Sequence, residues 1–255
     1  MNINNKTIMV TGGASGLGEA CVRCFATEGA SVAILDMNVE AGESLAKEIG
    51  ETAIFVKTDV SDEQNVQAAV DATMAAFGSI HVVINCAGIV IPSKILAKGQ
   101  PAPMDSFTKT IQVNLLGTLN VIRHTSAKML LNTPNEDGEK GVVINTASIA
   151  AFDGQLGQAS YTASKAAIVG MTLPIAREFA DYGIRINTIA PGLFETPMMA
   201  SLPEKVKAAL IQMSPFPKRL GKPSEFADLA RHMVENAMMN GETIRLDAAV
   251  RMSGK

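Results

Sequence analysis

Short runs of β-branched and other apolar residues recur along the chain, separated by longer stretches of helical periodicity. The runs Thr7–Thr11, Ser31–Asp36, Ala53–Thr58, His81–Asn85, Gly141–Thr146, Arg185–Ala190 and Glu242–Leu246 predict seven strands. Most are continuous Val/Ile runs rather than strict alternations, the pattern of strands covered on both faces. Between them Leu17, Ala20, Cys21, Cys24 and Phe25 form one helical stripe, and Val66, Ala69, Val70, Thr73 and Phe77 another. Strand–helix alternation with crossovers of this length predicts an α/β fold: a doubly wound, seven-stranded parallel sheet with helices on both faces. No linker, composition shift or repeat interrupts residues 1–255, which read as one domain. Two stretches break the rhythm, Pro92–Phe107 and Leu193–Leu220. Connections this long are usually functional or mobile, and the segment 193–220 is expected to be a substrate loop.

Composition narrows the function classes. A chain of 255 residues buries enough surface to need no disulfide or metal staple. A net charge of −3, from 22 basic and 25 acidic residues, argues against nucleic-acid or anionic-membrane partners. Cys21, Cys24 and Cys86 cannot form a paired framework, which suits a reducing compartment. The polar Met1–Asn5 leads straight into a strand, and no apolar run approaches a membrane span, so a cytoplasmic protein is expected. His81, His124 and His232 are scattered, and no metal is expected. Cys21 and Cys24 have redox-motif spacing but lie on a buried stripe, and packing is the better reading. Pro174 sits inside a helical run and predicts a kink.

Candidate chemistry starts at Thr11-Gly-Gly-Ala-Ser-Gly-Leu-Gly18, between the first strand and the first helix. Gly12, Gly16 and Gly18 permit a tight turn and let a pyrophosphate approach backbone N–H groups at a helix N-terminus, as in Rossmann dinucleotide folds. Asp36 ends the second strand about twenty residues further on, where a carboxylate can accept from both adenosine ribose hydroxyls and repel a 2′-phosphate. Met37 follows it and Ser15 precedes Gly16, so no cation stands ready for that phosphate, and NAD is favoured over NADP.

Tyr161 and Lys165 lie at i and i+4, on one helix face. Ser148 closes the fifth strand, whose carboxyl end should line the same crevice. A Tyr acting as general base near neutral pH needs its pKa of ~10 lowered by about 3 units, or ~4 kcal/mol. One ammonium at ~4 Å in an effective dielectric of ~20 supplies about that much, and Lys165 is the candidate, helped by the positive nicotinamide ring.

In this order and spacing the motifs resemble the short-chain dehydrogenase/reductase family over nearly the whole chain. The family's adenine-contacting Asp matches Asp59 in Thr58-Asp-Val60, and its Asn-Asn-Ala-Gly appears as Asn85-Cys86-Ala87-Gly88, with Cys86 in place of the second Asn. Its helix Asn is Asn114, its Ser–Tyr–Lys set falls on Ser148, Tyr161 and Lys165, and its Pro-Gly is Pro191-Gly192. Longer stretches, among them Asn145–Gln158, Gly170–Arg177, Ala190–Pro197, Ser201–Val206 and Pro215–Gly221, are similar to one group within it, the type II 3-hydroxyacyl-CoA dehydrogenases. That group includes 17β-hydroxysteroid dehydrogenases of type 10. The resemblance implies an NAD-dependent oxidoreductase that reversibly converts a 3-hydroxyacyl-CoA to its 3-oxo form. It assigns Asn114, Ser148, Tyr161 and Lys165 to catalysis, with Lys165 on the nicotinamide ribose and Asn114 anchoring a relay water. It gives the cofactor Gly12, Ser15, Gly16, Leu17, Gly18, Asp36, Asp59, Val60, Asn85, Cys86, Ala87, Gly88, Tyr161, Lys165, Pro191, Gly192, Phe194 and Thr196. The substrate receives Ser148, Gln155, Tyr161 and Leu193.

Leu193, Phe194, Met198, Met199 and Leu202 would make a pliable apolar wall for an acyl chain, or pack a lid. A dehydrogenase of steroids or other apolar secondary alcohols is the alternative, and a non-catalytic dinucleotide-binding sensor or scaffold a more distant one. The resemblance further implies a homotetramer built on the Tyr161 helix and its predecessor. Ala163, Ala166, Ala167 and Gly170 give that helix a small-residue face. The chain departs from the family in ending its last strand Asp247-Ala248-Ala249 rather than Asp-Gly-Gly, which is expected to change the turn there.

Overall fold

The computed structural model describes residues 1–200 and 203–254, apart from the Met198 side chain. In chain order the first half runs β1 (Thr7–Thr11), α1 (Gly16–Thr27), β2 (Ser31–Asp36), α2 (Val39–Ile49), β3 (Ala53–Lys57), α3 (Glu63–Phe77) and β4 (Val82–Asn85). A two-residue hairpin follows, β5 (Leu96–Ala97) with β6 (Gln100–Pro101). The second half is α4 (Asp105–Ile111), a π-helical turn (Gln112–Gly117), α5 (Thr118–Met129), β7 (Gly141–Thr146), α6 (Ala159–Phe179) and β8 (Ile184–Pro191). It closes with α7 (Pro197–Ala200), α8 (Glu204–Gln212), α9 (Pro223–Glu235) and β9 (Thr243–Leu246).

The seven long strands form one parallel sheet in the order β3-β2-β1-β4-β7-β8-β9. Their continuous apolar runs split by parity, because successive side chains in a strand point to opposite faces. Ile8, Val10, Val32 and Ile34 enter the layer shared with α1 and α9, while Met9, Ala33 and Leu35 enter the layer shared with α3 and α5. Each predicted strand is present to within a residue or two.

Strand order reverses between β1 and β4, and the crevice at their carboxyl ends is where such sheets take ligands. The turns leaving both strands are laced together there: Cys86 N–H donates to the Thr11 carbonyl at 3.1 Å and Ala87 N–H to Thr11 Oγ1 at 3.2 Å.

Three expectations are refined. The segment 193–220 is not structureless but carries α7 and α8. Pro174 lies within a helix that runs unbroken from Ala159 to Phe179. The turn after β9 keeps the left-handed backbone expected of glycine, with Ala248 at φ 51° and Ala249 at φ 61°. Surrounding contacts dictate that geometry: Arg245 Nη2 donates to the Val250 carbonyl at 3.0 Å and Ala249 N–H to Asp247 Oδ1 at 3.0 Å.

Candidate functional site

The glycine turn has the shape a phosphate cradle requires. Gly12 and Gly16 take φ of +63° and +55°, and a Cβ on Gly12 would lie 2.8 Å from Ala87 N. A Cβ on Gly18 would strike the Gly12 carbonyl, so the helix can start this close to the turn only with glycine there. Ser15 occupies the N-cap of α1 without a side-chain capping bond, leaving the first N–H groups of the helix to other acceptors. Thr196 sits against the turn, its Cγ2 3.4 Å from where a Gly16 Cβ would be.

Asp36 binds the turn to the end of β2. Its Oδ2 accepts from Ala14 N–H at 3.0 Å and its Oδ1 from Asn38 N–H at 2.9 Å. A carboxylate has about four acceptor positions, so each oxygen keeps one free for a hydroxyl. Asp59, beyond β3, accepts from both the hydroxyl and the N–H of Ser61, at 2.6 and 2.9 Å. The Ser61 hydroxyl bond holds its carboxyl below the ordinary value. Val60 is buried behind it, with its side chain close against Gly117.

On the other side of the switch point the remaining candidates converge. The Tyr161 phenol lies beside Ser148, whose Oγ accepts from Ala150 N–H at 3.1 Å. One turn further along α6, Lys165 is 4% exposed, donates to the Thr146 carbonyl at 2.7 Å, and lies 5.9 Å from the centre of the Tyr161 ring. Burial lowers the Lys165 ammonium to about 8. It pushes the Tyr161 phenol above its ordinary value, with the neighbouring Ser148 hydroxyl opposing. In the protein by itself burial outweighs the help the tyrosine receives from its neighbours, so the lowering expected of Lys165 and the positive nicotinamide ring belongs to the complex with the dinucleotide.

Asn114 is fully buried, because the π turn 112–117 adds a residue to the helical coil and rotates its side chain inward. Its Oδ1 accepts from Ile89 N–H at 2.8 Å, and its Nδ2 donates to the Ile89 carbonyl at 2.9 Å and to Ser164 Oγ at 3.1 Å. Gly88 leaves the space between this amide and the lysine open: a Cβ there would lie 3.3 Å from Asn114 Oδ1 and 3.5 Å from Lys165 Nζ. Sequence reasoning missed Ser164, Ile89 and the Thr146 carbonyl, and Ser164 alone carried a signal, its place within the Tyr161–Lys165 turn.

Asn85 Nδ2 donates to Asn145 Oδ1 at 3.0 Å, joining the ends of β4 and β7. Thr146 Oγ1 donates to Cys86 Sγ at 3.5 Å. The neighbouring Cys21 thiol lowers the Cys86 thiol against its own burial, with Thr146 and the charge of Lys165 helping, whereas burial raises Cys21. Among the described residues no group of three His, Cys, Asp or Glu side chains could hold a metal ion.

The substrate residues are less gathered. Leu193 and Gly192 leave β8 partly buried behind the buried Pro191. Gln155 lies on the loop before α6, where its Nε2 donates to the Ser253 carbonyl at 3.2 Å. Phe194 does not line an acyl wall. It is 6% exposed, stacks edge-on with Phe226 at 6.5 Å, and closes against Gly221, because the paired backbone at 194 and 221 turns its ring into the core. Phe194 can therefore face the crevice only through its main chain. Met199 lines a cavity of about 740 Å³ with Gly16, Thr196, Arg23 and Lys207, beside the glycine turn. Leu202 and the Met198 side chain lie outside the described residues.

The short chain dehydrogenase pattern matches residues 6–207. The chain is 50% identical to 3-hydroxyacyl-CoA dehydrogenase type-2 of Drosophila melanogaster, over 98% of this chain and 99% of that protein. A crystal structure of 3-hydroxyacyl-CoA dehydrogenase type-2 from Mycobacterium avium is 43% identical and superimposes with a TM-score of 0.92, covering 98% of this chain and 97% of that one. A 3-ketoacyl-(acyl-carrier-protein) reductase from Brucella melitensis, complexed with NADH, is 28% identical with a TM-score of 0.86, over 98% and 100%. With its sheet, glycine turn and Ser–Tyr–Lys geometry in place, the chain belongs to the short-chain dehydrogenase family.

Proposed function

We propose that the protein is an NAD(H)-dependent 3-hydroxyacyl-CoA dehydrogenase, interconverting the 3-hydroxyl and 3-oxo forms of an acyl-CoA. The observation that carries this reading is the meeting of Tyr161 with Ser148 and with a buried Lys165, whose Nζ lies 5.9 Å from the centre of the Tyr161 ring, at the mouth framed by Gly12, Gly16 and Gly18. Identity near one half, over almost all of both chains, to a relative named for that activity supports the substrate class.

The cradle fits a dinucleotide: left-handed Gly12 and Gly16, an uncapped α1 N-terminus, and Asp36 with acceptor capacity left for ribose hydroxyls. Asp36 with no adjacent cation favours NAD over NADP. When bound, the nicotinamide ring supplies or accepts the hydride. Ser148 orients the substrate oxygen through its hydroxyl. Tyr161 gives that oxygen a proton in reduction and takes one in oxidation. Because burial raises the free phenol, Tyr161 is protonated at neutral pH and set for reduction. Oxidation needs the charges of Lys165 and of the oxidised nicotinamide ring to favour the phenolate. The Asn114 side chain is occupied by Ile89 and Ser164, so a relay water between it and Lys165 would meet the remaining acceptor position of Oδ1, beside Gly88.

A homotetramer built on α5 and α6 fits the exposed Leu116 and Leu173, together with the small face of Ala163 and Gly170. Among the described residues no helix is long and apolar enough to cross a membrane. Free thiols at Cys21, Cys24 and Cys86 suit a cytoplasmic setting. The segment 193–220, with α7 and α8, is the proposed substrate loop.

The test is initial rates with acetoacetyl-CoA and longer 3-oxoacyl-CoA esters, with NADH and with NADPH, for wild type and Tyr161→Phe. We expect saturable NADH oxidation, weaker use of NADPH, and a loss of at least ~10³-fold in kcat for Tyr161→Phe with NADH binding kept. Equal rates on a CoA-free apolar ketone would favour the alcohol dehydrogenase reading. Tight NADH binding with no turnover of any ester would leave only a nucleotide-binding protein.

A further inference from the structure

Ser148 and Tyr161 sit on different elements, and the chain joining them contains one short regular piece, the 3-10 turn Ile149–Ala151. Much of what fixes this connection comes from the far end of the sequence. Arg245, on the edge strand β9, turns its guanidinium toward it. Its Nη2 donates to Asp153 Oδ2 at 2.7 Å, and the guanidinium carbon lies 4.9 Å from the centre of the Phe152 ring. The same side chain holds the turn after β9, with Nε donating to Asp247 Oδ2 at 2.7 Å and Nη2 to the Val250 carbonyl at 3.0 Å. That turn abuts the carboxyl end of β8, on the ligand side of the sheet. A Cβ on Gly192 would lie 2.8 Å from Asp247 Cα, and Gly192 N–H donates to the Leu246 carbonyl at 2.9 Å. One planar fork of donors therefore joins two rims of the crevice.

We propose that Arg245 is a positioning residue: it sets the spacing between the Ser148–Tyr161 connection and the carboxyl end of β8, and with it the width of the mouth through which an acyl ester reaches the two hydroxyls. The later part of the connection has other ties, Ser93 N–H to the Gly157 carbonyl at 2.8 Å and Leu156 N–H to the Gly254 carbonyl at 3.4 Å. Phe152 and Asp153, nearest Ser148, face Arg245. With side chains 21% and 24% exposed, the Arg245–Asp153 pair is shielded enough to order a loop, where a fully exposed pair would contribute little. Asp247 has a second cation in Arg251, at 3.1 Å, so losing Arg245 frees the loop before it frees the turn. The kinetic part of this proposal rests on the proposed dehydrogenase reading; the ordering of the loop does not.

The experiment compares wild type, Arg245→Met, Asp153→Asn and the double variant by amide hydrogen exchange of the free protein and by initial rates with acetoacetyl-CoA and NADH. Arg245→Met should speed exchange over residues 149–158 at least ~10-fold and leave the glycine turn as it was. KM for the ester should rise about 5–10-fold with KM for NADH within about twofold, because the glycine turn and Asp36 lie at β1 and β2, across the sheet from β9. Asp153→Asn should reproduce most of the ester effect, and the double variant should lose no more than Arg245→Met alone. Faster exchange spread over the whole molecule, or ester and NADH constants that rise together, means that Arg245 only stabilises the fold, and overturns the proposal. So does an unchanged ester KM, or losses that add in the double variant. Absence of turnover in wild type would defeat the dehydrogenase reading instead, and the exchange pattern would still decide whether Arg245 orders the loop. Should Arg245→Met fail to fold, Asp153→Asn cuts the same contact at its loop end and is judged by the same two readings.

Discussion

Replacing Lys165 with Met should make the free protein more stable at neutral pH. Lys165 is 4% exposed and its ammonium is lowered to about 8 from 10.5. The folded value lies below the unfolded one, so below about pH 8 both states are protonated and the folded state carries the full cost of the buried charge. That cost is about 2.5 units at 1.36 kcal/mol each, or ~3 kcal/mol. Met also forfeits the 2.7 Å bond to the Thr146 carbonyl, worth about 1 kcal/mol. The net gain at pH 7 is about 2 kcal/mol, or roughly 0.7 M in urea midpoint at an m-value near ~3 kcal/mol/M. As pH rises through 8 the folded wild type sheds its proton while the unfolded chain keeps one, so wild-type stability climbs. Over the roughly 1.5 units to pH 9.5 it recovers ~2 kcal/mol, and the gap closes. Urea unfolding of both proteins at pH 7 and 9.5, far-UV circular dichroism being the signal, measures this. A variant less stable than wild type at pH 7, with no convergence at pH 9.5, would refute the reasoning. A more stable protein without its lysine marks a site kept for chemistry at a cost to the fold.

Three further outcomes follow from individual contacts. Asp36→Ala frees the Ala14 and Asn38 N–H groups and removes the carboxylate, so NADH affinity should fall at least ~10-fold and the NADH/NADPH ratio with it; calorimetric titration with both dinucleotides checks this, and an unchanged ratio removes Asp36 from cofactor choice. Glu139→Ala strips the buried Arg185 of its 2.6 Å partner and should cost about 3–5 kcal/mol, seen as a fall of roughly 10 °C in Tm; a fall under about 2 °C would show that the pair contributes little. Ala248→Gly relieves a left-handed alanine at φ 51° against a larger unfolded-state entropy, for a net gain of about 0.5 kcal/mol and a Tm rise of ~1–2 °C, and a lower Tm would contradict it.

What the sequence settled by itself was local or periodic. Continuous Val/Ile runs announced doubly covered strands, since burial on both faces leaves no polar position to alternate. Gly12, Gly16 and Gly18 announced the turn because only glycine tolerates those backbone angles and contacts, and Tyr161 and Lys165 share a face by helical spacing alone. Ser148 was legible as the end of the fifth strand, whose carboxyl end lines the crevice, and resemblance supplied Asn114, which no spacing rule brings there.

Tertiary structure decided what depends on partners distant along the chain. The π turn that buries Asn114, the clasp of its amide by Ile89 and Ser164, and the Thr146 carbonyl on Lys165 each join segments whose approach is set by the whole sheet. It turned Phe194 into the core through a bridge to Gly221, and kept a glycine-like turn at Ala248 and Ala249. It also set the burial that raises the Tyr161 phenol in the protein by itself, because desolvation depends on everything packed around a group and one neighbouring charge is a single contributor among many.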